Sequence, residues 1–179
     1  MFVLGIDPGL SRCGYGLVGR SDPGRPAVAR AAGVIETAPD GPVPARLAVV
    51  AAELRALVEE FAPDTVAVER LFFQVNVRTA VSVGQVSGLA LVAAAEAGCA
   101  IVEYSANEVK LAVAGHGDAS KREVQQMVAR LLSLPGPIEP PDAADALALA
   151  LCHLATVPLR RSVAAAEAAS VGAGKGGRR

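Results

Sequence analysis

Aromatic residues are scarce in this chain: they make up 3% of the sequence, and tryptophan is absent. The hydrophobic fraction is nevertheless 52%, so the core has to be built from Val, Leu, Ile and Ala. With 179 residues the chain is long enough to bury such a core within one domain. An aromatic side chain in a loop therefore needs an explanation other than composition.

Surplus charge is lacking as well, since the formal net charge is −1. This balance gives no overall signal for a nucleic acid or an anionic membrane as a partner. A polyanion would have to be bound by a local basic face or through metal ions. The charge therefore leaves such substrates open only if the chain contains one of these two features.

Cysteine pairs and apolar segments of membrane-spanning length are also lacking. Cys13, Cys99 and Cys152 are far apart and form no C-x-x-C motif, which predicts buried thiols in a reducing compartment. The start of the chain lacks the basic and then apolar segments of a signal peptide. The most apolar later stretch, 86–102, is interrupted by polar residues and glycine. These features predict a soluble, cytoplasmic protein with no membrane partner.

The first sixteen residues form the most informative stretch. An apolar run over 2–6 predicts a buried strand, Asp7 follows it, and Pro8-Gly9 forces a turn. A second strand is predicted over 13–18, and its glycines leave room for a ligand or for sheet packing. Asp7 thus ends a buried strand, either as a turn-forming residue or as a functional carboxylate.

The order of predicted elements favours an α/β fold. A third strand over 27–37 completes an antiparallel meander, and strand–helix–strand units then add parallel strands. The later elements are a helix ending before Ala62, strands over 65–68 and 99–103, a helix over 78–97, and helices starting at the capping boxes Ser105–Glu108 and Ser120–Glu123. This order predicts a mixed five-stranded sheet flanked by helices on both faces.

The C-terminal part of the chain changes in composition. A final helix is predicted over 142–156. Beyond Pro158 the chain consists mainly of Ala, Gly, Ser and basic residues without periodicity, which predicts a disordered tail over 158–179. The predicted domain therefore covers residues 1–157.

Four carboxylates are expected at one edge of the sheet. Ligands of such sheets bind at the carboxyl ends of the parallel strands, and Asp7 and Glu69 converge there if their strands are neighbours. Asp142 and Asp145 lie three residues apart on one face of the final helix, in its first turn. They could merely cap the helix and complement its dipole. The residues around them, however, are alanine and leucine, on a helix that has to dock on the sheet.

Carboxylates gathered in this way predict a metal site. They repel one another and stay ionised only if cations lie between them. Oxygen-only ligation without a His or Cys cluster selects Mg²⁺ or Mn²⁺ over zinc. Two such ions form the in-line phosphoryl-transfer site of nucleases and polymerases. The acids therefore predict a two-metal site that hydrolyses phosphodiesters.

Two lysines and two aromatics are candidates for contacts with such a substrate. Lys110 and Lys121 lie on predicted helices after the fifth strand, where either could neutralise a phosphate or be an ordinary solvated lysine. Phe72 and Phe73 follow Glu69 in a predicted loop. One of them could stack on an unpaired base, which would contribute about 1–3 kcal/mol, or both could fill the core.

Together these motifs resemble the RuvC family of crossover junction endodeoxyribonucleases, the bacterial Holliday junction resolvases. The resemblance covers roughly residues 1–157 and preserves the order and spacing of the motifs. The matching stretches are Gly5-Ile-Asp-Pro-Gly-Leu-Ser-Arg-Cys-Gly-Tyr-Gly16, Val68-Glu-Arg-Leu-Phe72 with Asn76, Gly84-Gln85 and Gly88, Val109-Lys110 through Lys121, and Asp142-Ala-Ala-Asp-Ala-Leu-Ala148.

The resemblance implies an RNase H-like fold and a homodimer that nicks four-way DNA junctions in pairs, with Mg²⁺, in recombination and repair. It also implies cooperation with a branch-migration helicase. It assigns the catalytic metal-binding role to Asp7, Glu69, Asp142 and Asp145. It assigns DNA contacts to Phe72, Asn76, Arg78, Lys110 and Lys121, with Phe72 stacking at the junction centre.

The resemblance also places the second long helix near the dimer interface. Ala80, Gly84 and Gly88 share one face of that helix, and this face fits either a dimer contact or tight packing on the sheet.

Three other functions compete with this one. An ATP-binding protein of the actin and sugar-kinase class also begins with a Gly-Ile-Asp-x-Gly turn, but it needs two such domains and a second phosphate loop, which this chain lacks. An RNase H-like nuclease acting on other DNA or RNA structures fits the residues equally well, and only the resemblance favours junctions. A catalytically inactive binding module is disfavoured because all four acids are present.

Overall fold

A five-stranded mixed sheet forms the centre of the protein, as predicted. The computed structural model describes residues 1–22, 24–70 and 77–173, and it describes only the backbone of 77–79 and 158–173. The strands are β1 (Phe2–Asp7), β2 (Arg12–Gly19), β3 (Val28–Glu36), β4 (Thr65–Glu69) and β5 (Ala100–Tyr104). Their order across the sheet is β3-β2-β1-β4-β5. The first three strands form the antiparallel meander, and β1, β4 and β5 run parallel.

Helices cover both faces of the sheet, which confirms the predicted layering. They are α1 (Val43–Phe61), α2 (Val77–Glu96), α3 (Ala106–Ala114), α4 (Lys121–Leu131) and α5 (Pro141–Ala173). One hydrophobic core lies between the sheet and α1 and α2, and the other lies between the sheet and α3, α4 and α5. The capping boxes at Ser105 and Ser120 form as predicted and begin α3 and α4.

The alternation of side chains along β1 and β4 decides which residues face α5. Leu4 and Ile6 point into the core beneath α1 and α2, whereas Val3 belongs to the core beneath α5. Since successive residues of a strand face opposite sides, Asp7 lies on the α5 side. The same argument places Glu69 there, because Ala67 of β4 packs into the α5 core. Both strand-terminal acids therefore face the last helix.

Three glycines allow α5 to lie directly on the sheet. A Cβ atom at Gly5 would overlap the backbone oxygen of Ala146, and one at Gly14 would overlap that of Asp142. At Gly16 it would come within 2.8 Å of the backbone nitrogen of Leu147. Gly14 and Gly16 of β2, which the sequence left open between ligand contact and packing, therefore serve the packing of α5.

The last helix is longer than the sequence indicated. It continues to Ala173, past the predicted end at Thr156 and into the stretch that was predicted as a disordered tail. The helix includes Pro158, and the stretch that follows is rich in alanine, the best helix former. The helical backbone over 158–173 differs from the predicted disorder, and 174–179 lie outside the described residues. The division into a domain over 1–157 and a tail stays a prediction.

The cysteines partly match the expectation. All three are free thiols; Cys13 and Cys152 are buried, and Cys99 is partly exposed. Within the described part of the chain, no helix is long and apolar enough to cross a membrane.

A buried polar cluster ties β5 to α5. The hydroxyl of Tyr104 lies 2.9 Å from Nδ1 of His153 and 2.8 Å from Oγ1 of Thr156.

We expect Tyr104→Phe to lower the free energy of unfolding by about 1–3 kcal/mol, because buried polar groups would lose a partner. Urea denaturation measures this loss. Tyr15→Phe is the matched control and should have almost no effect, since no hydrogen bond joins the Tyr15 hydroxyl to the described residues; an equal loss in both variants would contradict the argument.

Candidate active site

The four predicted acids come from three elements that meet at one edge of the sheet. Asp7 ends β1 and Glu69 ends β4, and these parallel strands are neighbours. Asp142 and Asp145 lie near the start of α5, and this helix packs on β1 and β2. The neighbouring strands required by the sequence prediction are thus present, and the acids of α5 reach the same edge.

A cleft of about 290 Å³ opens at this edge. Asp7, Glu69 and Asp145 line it together with Lys110 and Lys121, and the rest of its wall is apolar. Asp142 is not part of this lining, because its carboxylate lies beside Arg12 instead. The cleft therefore gathers three of the four predicted acids and both predicted lysines.

Asp142 and Asp145 of α5 each form an ion pair with a basic side chain. Nζ of Lys121 lies 2.6 Å from Oδ2 of Asp145. Nε of Arg12 lies 3.0 Å from Oδ2 of Asp142. Lys121 is the first residue of α4 after the Ser120 cap, so the capping box sets where this lysine enters the cleft.

Negative charge in the cleft exceeds what these cations offset. Burial first, and then the charges of Glu69, Asp145 and Asp142, raise the pKa of Asp7 to about 7, while Lys121 opposes this shift. Burial also raises the pKa of Glu69, and the charge of Asp145 raises it to a smaller extent. The pKa of Asp145 is raised mainly by burial even though Lys121 donates to it. In the protein without metal, these carboxylates therefore hold protons more tightly than ordinary acids.

The donor set fits a hard divalent cation. With the α5 acids paired to Arg12 and Lys121, no three His, Cys, Asp or Glu side chains of the described residues stand close enough to hold a metal ion. The donors in and beside the cleft are nevertheless all carboxylate oxygens, which suit Mg²⁺ or Mn²⁺. Burial first and neighbouring negative charge second raise the pKa values of Asp7, Glu69 and Asp145, and a bound cation would favour their ionised forms instead.

The remaining predicted contacts are only partly described. Lys110 is in the cleft lining. Phe72, Phe73 and Asn76 lie outside the described residues, as does the side chain of Arg78.

Two neighbours of the acids were not predicted as site residues. Arg12 contacts Asp142, and Glu36 in turn contacts Arg12. The sequence did contain an indication of Arg12. It lies two residues before Gly14 and four before Gly16, so on one strand all three residues face the same side of the sheet.

Comparison with known proteins agrees with this geometry. The family model described as crossover junction endodeoxyribonuclease RuvC matches residues 3–153. A crossover junction endodeoxyribonuclease RuvC of Salinispora arenicola is 51% identical over 176 residues, which cover 98% of this chain and 100% of that protein.

Solved structures give the same result. The Thermus thermophilus RuvC structure is 38% identical with a TM-score of 0.82, and the match covers 89% of this chain and 96% of that one. T. thermophilus RuvC in complex with a Holliday junction substrate gives a TM-score of 0.83 at the same identity and coverage. The RNase H-like fold class is thereby confirmed.

Proposed function

Because the chain belongs to the crossover junction endodeoxyribonuclease RuvC family, we propose that it resolves four-way DNA junctions by paired, symmetric nicks in recombination and repair. The observation that carries the proposal is the acidic cleft, in which Asp7, Glu69 and Asp145 lie beside Lys110 and Lys121. The related T. thermophilus protein has been solved with a Holliday junction substrate. A cleft with both acids and lysines is suited to a phosphodiester of such a junction.

The four acids are proposed to hold two Mg²⁺ ions per subunit, for which Mn²⁺ could substitute. When bound, such ions lower the pKa of an attacking water and stabilise the leaving 3′ oxygen. Asp7 and Glu69 are held by neighbouring strands, and Asp142 and Asp145 by the first turns of one helix. The acids are thus fixed on rigid elements, which favours a preorganised site.

The lysines and the apolar wall of the cleft are proposed to bind the substrate and to strengthen its charge interactions. Lys110 and Lys121 are proposed to contact phosphates of the junction, a contribution that should weaken as salt concentration rises. Lys121 exchanges its contact with Asp145 for one with a phosphate when DNA arrives. The apolar lining from α3, α4 and α5 limits the water in the cleft and so strengthens these charge interactions. Phe72, Asn76 and Arg78 stay predicted DNA contacts, with Phe72 stacking on a base.

A homodimer would place two such sites for symmetric cutting. Exposed Val81 and Val92 lie on α2 at helical spacing with Gly84 and Gly88, and an added Cβ at Gly88 would meet no atom within 4 Å. This open, apolar stripe supports the predicted contact between two copies. A two-fold axis relates the sites of such a dimer, so opposed strands would be cut alike. The branch-migration helicase stays a predicted partner, and a cytoplasmic location stays a prediction.

A cleavage assay tests the proposed function. A synthetic four-way junction, a duplex and a single strand are each incubated with the full chain and Mg²⁺, or with chelator. We expect paired nicks in opposed strands of the junction, only with the metal, and little cleavage of the other substrates. Equal cleavage of all substrates would favour an RNase H-like nuclease of broader range, and no cleavage with either Mg²⁺ or Mn²⁺ would contradict the proposal.

A further inference from the structure

We propose that Arg12 is a positioning residue that fixes the carboxylate of Asp142 and is itself held by Glu36. The inference rests on the proposed function, in which Asp142 is a metal ligand. It assigns to two residues outside the cleft lining a role in setting the geometry of the site.

The sheet brings these three side chains together. Arg12 begins β2 and Glu36 ends β3, and the two are direct cross-strand partners. Arg12 is on the same face of β2 as Gly14, which the backbone of Asp142 contacts. The start of α5 therefore lies beside Arg12 because Gly14 leaves space for it. The contact follows from strand register and packing, although the side chains of Arg12 and Glu36 are themselves 43% and 64% exposed.

The guanidinium uses two different nitrogens for the two carboxylates. Nε lies 3.0 Å from Oδ2 of Asp142, and Nη1 lies 2.6 Å from Oε1 of Glu36. Because the guanidinium is planar and rigid, anchoring one nitrogen orients the other. Glu36 therefore fixes the direction from which Arg12 contacts Asp142.

The arrangement leaves one oxygen of Asp142 for a cation. Arg12 takes Oδ2, and within the described residues Oδ1 has no hydrogen-bond partner. Groups that orient a metal ligand in this way have a typical effect of about 10–100-fold on metal affinity or activity. Arg12 thus holds Asp142 with one oxygen occupied and the other available.

An ion pair elsewhere on the protein provides a matched comparison. Nε of Arg55 lies 2.8 Å from Oε2 of Glu96, and both side chains are more than half exposed, at 53% and 54%. Asp142 is only 27% exposed. Exposed pairs contribute little to stability, so Arg55→Gln controls for the loss of an arginine ion pair away from the cleft.

Whether Arg12→Gln raises or lowers the metal affinity distinguishes a positioning role of Arg12 from a purely electrostatic effect of its charge. By Coulomb's law alone, removal of a positive charge beside Asp142 should strengthen cation binding. Loss of a positioning contact should weaken it instead. A weaker affinity in Arg12→Gln can therefore not arise from the lost charge.

The experiment measures Mn²⁺ binding by electron paramagnetic resonance for the wild type, Arg12→Gln, Arg12→Lys, Glu36→Gln and Arg55→Gln. We expect Arg12→Gln to weaken Mn²⁺ binding by about tenfold or more. Arg12→Lys should restore little of this affinity, because an ammonium lacks the planar set of N–H donors with which a guanidinium contacts two carboxylates. Glu36→Gln should give a smaller loss in the same direction, and Arg55→Gln none. Affinity for a four-way junction in chelator should change less than about threefold in every variant, and urea denaturation should show that each one folds.

Four outcomes would overturn this inference. Tighter Mn²⁺ binding in Arg12→Gln would make Arg12 a competing cation. Unchanged Mn²⁺ binding with weaker junction binding would make it a DNA contact, and Glu36→Gln should then bind the junction more tightly by freeing the arginine. A wild type without Mn²⁺ affinity would contradict the proposed metal site as well. If the wild type binds Mn²⁺ and cleaves junctions, and the Arg12 and Glu36 variants bind Mn²⁺ equally well, only the role of Arg12 would be contradicted.

Discussion

We expect Asp7→Asn to abolish junction cleavage and, in the protein without metal, to raise the free energy of unfolding. Asparagine keeps the size of the side chain but offers no negative charge to a cation, so cleavage should fall by about a thousandfold or more, at least the scale of losing a main transition-state stabilising group. Junction binding in chelator should change little, because it depends on phosphate contacts and junction shape.

The gain in stability depends on pH. Burial and neighbouring acids raise the pKa of Asp7 from 3.8 to about 7, so the folded protein binds this proton more tightly than the unfolded chain. The contribution of Asp7 to stability is therefore fully present below about pH 4 and is lost as pH rises through 7. Asparagine carries no charge at any pH and avoids this loss. With about 1.4 kcal/mol for each pKa unit and allowance for solvent, we expect a gain of about 1–3 kcal/mol at pH 8.

Urea denaturation in chelator at pH 4 and pH 8 measures this difference. The gain should be small at pH 4 and full at pH 8, and Asp40→Asn, in an exposed loop, should show no such trend. Mg²⁺-dependent nicking by Asp7→Asn would refute the catalytic assignment. A stability difference independent of pH would refute the electrostatic one.

We expect the largest loss of stability from Gly5→Ala. The added Cβ would overlap the backbone oxygen of Ala146 and lie 3.1 Å from the nitrogen of Ala150. Neither is a side chain that can rotate away, so α5 would have to shift from the sheet. Overpacking of this kind costs about 1–3 kcal/mol and occasionally more, and a clash with backbone on a central strand belongs at the upper end. Cleavage should fall too, since α5 carries two of the four acids.

Gly136→Ala is the control for this substitution. An added Cβ at Gly136 meets no atom within 4 Å, so alanine should be neutral or slightly stabilising through the unfolded chain. Thermal or urea unfolding of both variants measures the contrast. Equal stability of Gly5→Ala and the wild type would show that α5 adjusts its distance from β1 without loss.

The local features of the site could be predicted from the sequence, whereas the register of the strands that bring its residues together could not. The Pro8-Gly9 turn fixes where β1 ends, so Asp7 could be placed at a strand terminus from neighbouring residues alone. The meeting of Asp7 with Glu69 depended on strand order, which the strand–helix–strand rule favoured. The pairing of Arg12 with Glu36 depends on the register of β2 against β3, which short-range patterns do not determine.

The glycines show the same limit. Gly14 and Gly16 were recognisable as positions of close approach, but the approaching element is more than 120 residues away in the sequence, as Asp142 shows. The length of α5 was missed for a different reason. Proline is a strong local signal for a helix end, and it outweighed the alanine-rich sequence beyond Pro158.

The packing of α5 on β1 has a consequence for the order in which the protein is assembled. Chains emerge from the ribosome with the N-terminus first, so Asp7 is synthesised well before α5. Contacts between such distant segments form late, because they close the longest loops. Until α5 docks, Asp7 and Glu69 lack Asp142 and Asp145 as neighbours. A nascent or truncated chain that ends before Pro141 would therefore have no complete cleft, and no DNA-cutting intermediate would be released during its synthesis.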